Sequence, residues 1–522
     1  MVQTVDVNAV KKANALKLEA NALYAKKLYH EAIDKYTAAI EVDPTVPAFY
    51  TNRAQCHIFI EGYGAAKADA DAALDIDPTF IKAYYRRASA NLAMGKLKEA
   101  RSDFREVTRR MPNDAGARSK YLECNKLYRR IQFEKAIDSE ADRKRVADTI
   151  DLKNFSLPED YEGPRMPVRK QRVPKNKGSG ESTDSKDVET VEVDEEYVDL
   201  DFVKGVLEWF RDQKTLPVRY VYAILLQADK LLRTLPTLVD VTVPEGAEIT
   251  VCGDVHGQYY DVLKIFELNG LPSEKLLYLF NGDFVDRGSF SVEVVVLFMC
   301  FKLLYPNAFF LNRGNHESVE MNRLYGFEGE VRHKYSTQGK RVFDLFQEVF
   351  EALPVAHLIQ GKIFVVHGGL YSRETARNAQ TPEGDGVVRL AELREMSRFH
   401  QPHFNSLLCE SLWSDPQPQK GRSPNPRGTA IQYGPDVTKE FCDTNGLTMV
   451  IRSHQQMEEG YEIAHDGQMV TVFSAPNYCD SFGNKGAYIR ISPDLNCFYH
   501  KFTAAPHPNV KAMAYSNVNR FM

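Results

Sequence analysis

The hydrophobic pattern of the chain changes along its length. From Glu248 onwards, short apolar runs alternate with helical stretches, which is the pattern of an α/β domain with buried strands. Two further helices are predicted at about 200–213 and 218–234, immediately before that domain. From Pro164 to about residue 200 the hydrophobic periodicity is absent, which indicates a flexible or partly ordered tether.

The N-terminal part follows another pattern, because alanine and proline recur in it at one constant interval. A helix–turn–helix unit of this length cannot bury its apolar face alone, so neighbouring units stack. Small alanine side chains let the helices approach, and proline closes each unit where the next helix begins. We predict units at about 13–46, 47–80 and 81–114, followed by a capping helix over 119–136. The recurring residues are Pro44, Pro78 and Pro112, then Ala20, Ala54 and Ala88, and again Ala32, Ala66 and Ala100.

Composition restricts the possible functions. Lys and Arg number 66 and Asp and Glu number 71, so the net charge is −5 and the concentrated positive excess of a nucleic-acid-binding protein is absent. The 8 cysteines are scattered without a C-x-x-C pair, which argues against a zinc ribbon or a disulfide scaffold and favours a reducing compartment. The chain starts without a basic segment before an apolar stretch, and its best apolar run, 294–304, is interrupted by Lys302. We therefore expect no signal peptide, no membrane span and an intracellular protein.

Polar residues follow the predicted strands at the point where each strand ends. In α/β sheets ligands bind at the C-terminal strand ends, and neighbouring glycines allow a close approach. One such residue pair could be a capped turn or a structural histidine. Several strand ends that offer nitrogen and oxygen ligands, without a thiolate, favour two borderline or hard metal ions bridged by one carboxylate. The candidate ligands are Asp254, His256, Asp283, Asn315, His367 and His454.

Four motifs in the second half resemble those of a known enzyme family. They resemble the signatures of the phosphoprotein phosphatases, a family of metal-dependent serine/threonine phosphatases, and the N-terminal repeat resembles tetratricopeptide repeats. The resemblance covers about 13–136 and 200–520. The motifs are Gly-Asp-Val-His-Gly at 253–257, Gly-Asp-Phe-Val-Asp-Arg-Gly at 282–288, Arg-Gly-Asn-His-Glu at 313–317 and Ser-Ala-Pro-Asn-Tyr-Cys at 474–479.

This resemblance implies the domain organisation and the activity. An all-α tetratricopeptide superhelix at 13–136 would be joined by a linker at 137–199 to a metallophosphoesterase α/β β-sandwich at 200–506. A regulatory tail at 507–522 would follow. The implied activity is hydrolysis of phosphoserine and phosphothreonine in phosphoprotein substrates.

The resemblance also implies how the reaction is catalysed. Phosphate monoesters hydrolyse very slowly, so a catalyst must supply hydroxide, neutralise the phosphoryl oxygens and protonate the leaving group. Two divalent or trivalent ions (Mn, Fe, Zn or Mg, with Mn expected in vitro) would activate the hydroxide, and His316, paired with Asp286, would be the general acid. By the family pattern, one ion would be held by Asp254, His256 and Asp283. The other ion would be held by Asp283, Asn315, His367 and His454. The substrate phosphate would be bound by Arg287, Asn315, Arg427 and Tyr478.

The repeat region implies a groove for a peptide. The family's clamp for a C-terminal carboxylate consists of Lys and Asn four apart on the first helix, Asn on the third, and Lys and Arg four apart on the fifth. A solvated basic face is the other interpretation of any one of these residues. The implied partner is the acidic tail of 90-kDa heat-shock chaperones, which would recruit the enzyme and relieve autoinhibition by the repeat domain; fatty acids are a further expected activator. The clamp residues are Lys17, Asn21, Asn52, Lys82 and Arg86.

Other interpretations stay open. A phosphodiesterase or nuclease could use the same metal scaffold, although the acidic balance disfavours nucleic acid, and an inactive adaptor could bind chaperones alone. Cys124 and Arg130 fit the C-x5-R spacing of cysteine-dependent phosphatases, but the intervening residues are helical in pattern and lack glycine.

We expect the protein in the cytoplasm and the nucleus. The basic residues at 164–180 are either an import signal or a solvated linker. The stretch 372–386 is longer than the usual loop of the family, and its role is open.

Overall fold

A computed structural model describes residues 7–137, 144–174, 190–378 and 386–516. Its N-terminal part, which we call the repeat domain, is a stack of antiparallel helices. The regularly spaced alanines are all fully buried between helices, which is why the repeat requires small residues there. The first helix begins before the predicted residue 13, and the last exceeds the predicted 119–136 at both ends. The helices are α1 (Val7–Ala25), α2 (Tyr29–Val42), α3 (Pro47–Phe59), α4 (Tyr63–Ile76), α5 (Ile81–Ala93), α6 (Leu97–Arg110) and α7 (Ala115–Ile137).

The predicted tether contains a β-hairpin. Strand β1 (Val168–Pro174) pairs antiparallel with β2 (Thr190–Glu196), and the register places Lys170 opposite Asp194 and Arg169 opposite Glu195. Opposite charges across a strand pair stabilise it, so the hairpin needs no hydrophobic periodicity. The intervening residues 175–189, which include part of the basic segment, lie outside the described residues.

The α/β domain is a sandwich of two sheets, as predicted. Apolar residues of both inner faces, among them Ile249, Val251, Ile363 and Ile451, form the core between the sheets. The apolar run 294–304 is a buried helix of this domain. The strands are β3 (Leu238–Val241), β4 (Glu248–Cys252), β5 (Leu276–Phe280), β6 (Phe309–Leu311), β7 (Ala356–Ile359), β8 (Ile363–Val366), β9 (Asp415–Pro416), β10 (Arg422–Pro424), β11 (Ile431–Tyr433), β12 (Met449–Arg452), β13 (Tyr461–Ala464), β14 (Met469–Val472), β15 (Gly486–Ile491) and β16 (Cys497–Phe502). The sheet orders are β13-β14-β12-β8-β7-β3 and β16-β15-β4-β5-β6, with a small β10-β11-β9 sheet beside them.

Helices cover the outer faces of the sandwich. The first two agree closely with the predicted 200–213 and 218–234. In the part of the chain that the structure describes, no helix combines the length and the apolar character needed to cross a bilayer. The helices are α8 (Leu200–Arg211), α9 (Val218–Leu232), α10 (Tyr259–Asn269), α11 (Ser291–Leu304), α12 (Val319–Tyr325), α13 (Phe327–Tyr335), α14 (Gly339–Ala352), α15 (Arg373–Asn378), α16 (Leu390–Glu395), α17 (Leu407–Trp413) and α18 (Pro435–Asn445).

Strand direction decides where the polar loops lie. Strands β4, β5 and β6 are parallel neighbours in one sheet, and β8, β12 and β14 are parallel neighbours in the other. An isolated bridge between Asp254 and Phe473 joins the ends of β4 and β14 across the two sheets. The loops that follow these six strands therefore meet at one edge of the sandwich.

The repeat domain packs against the α/β domain beside that edge. Leu92 and Leu97 of the repeats share an apolar cluster with Met321 and Leu324 of α12. Met513, from the C-terminal segment, belongs to the same cluster. Among the described residues, 503–516 form no helix; this segment lies on its own α/β domain rather than extending from it.

Candidate active site

The loops that carry the predicted metal ligands have unusual backbone conformations. His256, Asp283 and His454 all have positive φ, which side-chain-bearing residues rarely adopt. The loop leaves no room for a side chain at Gly314, because a Cβ there would lie 2.3 Å from Oδ1 of Asp283. Glu317 stabilises this turn, because its carboxylate accepts hydrogen bonds from the backbone N–H groups of Asp283 and Phe284, each at 2.8 Å.

The structure brings the six predicted ligands together in two overlapping groups. In the first group, Nε2 of His256 lies 3.5 Å from Oδ2 of Asp283 and 3.8 Å from Oδ2 of Asp254. In the second, Nε2 of His367 lies 3.4 Å from Oδ1 of Asp283 and 2.9 Å from Oδ1 of Asn315. Asp283 thus belongs to both groups, which is the position expected of a bridging carboxylate.

His454 completes the second group. Potential ligand atoms of Asp283, His367 and His454 all lie within 4.8 Å of one another. The backbone N–H of His454 donates to Oδ1 of Asp254 at 3.0 Å, while its Nε2 is buried without a hydrogen-bond partner among the described residues. A buried, unpaired imidazole nitrogen costs free energy, and a metal ion at this place would satisfy it.

The electrostatics of the site also fit cations. Burial raises the pKa of Asp254 to about 7 and that of Asp283 well above its ordinary value. Burial lowers the pKa of the site histidines, which are therefore neutral and present a lone pair. Adjacent carboxylates with raised pKa values and neutral imidazoles are the donor set of a divalent metal centre.

His316 and Asp286 form a buried pair beside the metal groups. Nδ1 of His316 lies 2.8 Å from Oδ2 of Asp286, and its ring contacts that of His256 edge-on at 4.8 Å between centroids. Asn322, which the sequence did not single out, donates to the same Oδ2 at 2.9 Å, and the backbone N–H of Phe327 donates to Oδ1 at 2.9 Å. The carboxylate is therefore fully engaged, and it holds the imidazole in one orientation.

The two predicted phosphate-binding arginines lie at the mouth of the site and contact a residue of the repeat domain. The guanidinium of Arg287 forms a close ion pair with Glu61, and Nη1 of Arg427 lies 3.4 Å from the other carboxylate oxygen of Glu61. Nε of Arg427 also donates to Asp415 at 2.8 Å, and the Arg287 guanidinium stacks on the Tyr325 ring at 4.0 Å. Burial alone would raise the pKa of Glu61, but the two guanidinium groups hold it below its ordinary value.

Tyr478 completes the wall of the site. Its buried ring packs against His256 at 5.2 Å and against Phe473 at 5.3 Å between centroids. The cavity that contains these residues has a volume of about 1390 Å³ and lies between the two domains. Glu61, on the turn between α3 and α4, lines the same cavity, so the repeat domain forms part of its wall.

The predicted clamp residues lie on the helices where the resemblance placed them. Lys17 and Asn21 are on α1, Asn52 is on α3, and Lys82 and Arg86 are on α5. The Tyr36 hydroxyl donates to Oδ1 of Asn21 at 2.6 Å and also contacts Asn52, so it links α1 to α3. Burial raises the pKa of Tyr24 of α1, and the positive charge of Arg86 partly opposes this effect.

Sequence reasoning missed Glu61 and Asn322. Neither stands in a recognisable motif, and their roles depend on contacts with distant segments of the chain, at Arg287 and at Asp286. By contrast, the C-x5-R match does not form a phosphate-binding loop, because both residues lie on one helix. Cys124 and Arg130 lie along α7, the thiol is buried with its pKa raised to about 12, and Arg130 pairs with Glu328.

Comparison with known proteins agrees with the fold and the site. Residues 247–457 match the family model of calcineurin-like phosphoesterases, residues 81–114 match a tetratricopeptide repeat, and residues 121–240 match the PPP5 TPR repeat region. The class is thus a calcineurin-like metallophosphoesterase joined to tetratricopeptide repeats, and such enzymes depend on divalent metal ions.

The relatives narrow the class to one family. The chain is 46% identical over 510 residues to serine/threonine-protein phosphatase 5 of Homo sapiens, covering 98% of this chain and 94% of the relative. It is 46% identical over 537 residues to the protein of the same name in Arabidopsis thaliana, covering 97% of each chain. A solved Saccharomyces cerevisiae serine/threonine phosphatase with similarity to human PP5 matches with a TM-score of 0.54 and 43% identity, covering 59% of this chain and 96% of that chain. The chain belongs to the serine/threonine-protein phosphatase 5 family and is a metal-dependent protein-serine/threonine phosphatase.

We expect metal binding to release protons at acidic pH. Because the pKa of Asp254 in the metal-free protein is about 7, its carboxyl is protonated below that pH and must lose the proton to bind a cation. Affinity for Mn²⁺ should fall by roughly tenfold per pH unit below pH 7 for each proton displaced. Titration calorimetry at pH 6 and pH 8, in buffers of different ionisation enthalpy, measures this release. Equal affinity at both pH values would contradict the assignment of Asp254 as a ligand.

Proposed function

We propose that this phosphatase hydrolyses phosphoserine and phosphothreonine with two metal ions that share Asp283. The observation that carries the proposal is that the Asp283 carboxylate lies 3.5 Å from Nε2 of His256 with one oxygen and 3.4 Å from Nε2 of His367 with the other. Asp254 and His256 would complete one site, and Asn315, His367 and His454 would complete the other. When bound, such ions lower the pKa of water and neutralise phosphoryl oxygens. Their identity in the cell, among Mn, Fe, Zn and Mg, is set by availability more than by these ligands.

The side chains around the ions would bind the phosphate and move the proton. Arg287 and Arg427 present guanidinium groups that match phosphate oxygens and keep their charge, and Asn315 and Tyr478 line the same space. His316 would protonate the leaving oxygen of serine or threonine. Its Nδ1 is held by Asp286, so in the imidazolium form, which carries a proton on each ring nitrogen, Nε2 would donate the proton to the leaving oxygen.

Replacing His316 by Asn should lower kcat for a phosphoserine peptide by roughly a hundredfold or more, because the alkoxide would leave unprotonated. Bound metal should stay near the wild-type amount, measured by elemental analysis. Asp283→Asn is the matched comparison: it should lose both metal and activity, because it alone belongs to both groups. If His316→Asn lost metal to the same extent as Asp283→Asn, His316 would be a ligand rather than the acid.

We further propose that the repeat domain inhibits the enzyme in the observed arrangement. The Glu61 carboxylate contacts both arginines that would bind phosphate, so an anionic substrate and Glu61 compete for the same cations. Backbone contacts support the same closed state: the Ala65 N–H donates to the Pro426 carbonyl at 2.9 Å, and the Tyr325 hydroxyl donates to the Ala93 carbonyl at 3.0 Å. The C-terminal segment contributes as well, since the Met513 N–H donates to the Arg287 carbonyl at 2.6 Å.

Activation would follow when a ligand opens this interface. Three basic side chains and two amide side chains on the concave surface suit a peptide that ends in a carboxylate, such as the acidic tail of 90-kDa heat-shock chaperones. Binding of such a tail to α1, α3 and α5 would compete with the closed arrangement and recruit the enzyme to chaperone-bound substrates. Fatty acids would also activate the enzyme by opening this closed interface.

We propose that the enzyme works in the cytoplasm and the nucleus.

Replacing Glu61 by Gln should raise basal activity toward a phosphopeptide by roughly fivefold or more, because the side chain keeps its shape but loses the charge that holds Arg287 and Arg427. Removal of residues 1–164 should act in the same direction. An acidic C-terminal peptide should activate the wild type more than Glu61→Gln. The control is Glu31→Gln, an exposed glutamate of α2, which should leave the rate unchanged. Equal basal rates of the wild type and Glu61→Gln would refute inhibition through Glu61.

A further inference from the structure

One further basic residue, Lys120, lies one repeat period after the last of the five clamp residues. Asn52, Arg86 and Lys120 are equally spaced along the chain, each one repeat period from the next. These residues lie on α3, α5 and α7, which are successive inner helices of the stack. Equivalent positions of a helical repeat face the same surface, so Lys120 continues the row of polar side chains along the groove.

The contacts of the side chains agree with this placement. Nζ of Lys120 lies 4.7 Å from the centroid of the Tyr85 ring, and the Arg86 guanidinium carbon lies 5.6 Å from the same centroid. Two cations thus adjoin one aromatic ring. Nε of Arg86 is buried without a hydrogen-bond partner among the described residues.

Charges of both signs surround Lys120. Its pKa is lowered to about 8, first by burial and then by the Arg86 cation, and the carboxylates of Glu123 and Asp114 only partly oppose these effects. Burial also lowers the pKa of Arg86. Carboxylates bound beside each of these cations would relieve both costs, because an adjacent anion stabilises the charged form of a basic side chain.

We propose that Lys120 is a further peptide-binding residue of the groove, which binds a side-chain carboxylate upstream of the terminal carboxylate of an acidic peptide. This inference rests on the proposed clamp, which accounts for the terminal carboxylate with residues of α1, α3 and α5. Lys120 lies one inner helix further along. Packed helices are about 8–10 Å apart, and an extended peptide covers that distance in about three residues. The preferred ligand therefore carries an acidic side chain within about three residues of its C-terminus.

The test uses the full-length protein and a pentapeptide with two glutamates upstream of a free C-terminal carboxylate, with affinity measured by calorimetry at pH 7. Lys120→Gln should weaken binding by roughly five- to tenfold, whereas Lys120→Arg, which keeps the charge, should stay within about twofold of the wild type. Lys126→Gln removes an exposed lysine of the same helix and should change nothing. Replacing the peptide's glutamates by glutamine should abolish the difference between the wild type and Lys120→Gln.

The pH dependence gives a second readout. Since the pKa of Lys120 is about 8 and an anion would raise it, wild-type protein should take up protons on binding at pH 8.5. Lys120→Arg should not. Wild-type affinity that is equal for the free acid and the C-terminal amide would refute the clamp itself. Two results would refute the role of Lys120 while the clamp stands, provided that the wild type prefers the free acid. In the first, Lys120→Gln binds the glutamate peptide as tightly as the wild type does. In the second, Lys120→Gln weakens binding of the glutamine peptide as much as binding of the glutamate peptide.

Discussion

Carboxylates that are removed from water side by side repel each other unless a cation lies between them. The α/β domain imposes this situation on Asp254 and Asp283, because the parallel strands of both sheets end at one edge and direct their loops into the same buried space. The neighbouring histidines are neutral and supply lone pairs rather than charge. Metal ions between these carboxylates would relieve their repulsion, and the same ions would serve phosphate-ester hydrolysis.

The same demand for opposite charge connects the two domains. Arg287 and Arg427 are held at the mouth of the cavity, where Asp415 orients one and Tyr325 supports the other. Without an anion between them, two guanidinium groups that contact the same carboxylate would also repel each other. Glu61 supplies the missing charge, so the repeat domain contacts the catalytic domain through the cations that a phosphate would use. In the groove on the concave surface of the repeat domain, Arg86 and Lys120 are likewise partly buried cations that an anion would stabilise.

Much of the fold followed from local patterns. The alanine and proline period located the helix pairs, because close helix packing tolerates only small residues at those positions. The apolar runs of the second half predicted strands that end where the polar site residues begin, since buried strands need continuous hydrophobic side chains. The hairpin of β1 and β2 was missed because basic residues on one strand lie opposite acidic residues on the other, a pairing that hydrophobic periodicity does not indicate.

The sequence by itself determined the repeat, the strands and the chemical types of the site residues, since each is written in spacing or composition within one segment. The family resemblance already implied that Asp283 belongs to both donor groups, whereas only the tertiary structure decided that Asn322 holds Asp286 and that Glu61 pairs with Arg287. These contacts join residues far apart in the chain. Their distances depend on how sheets and domains pack, and no local pattern of residues encodes that packing.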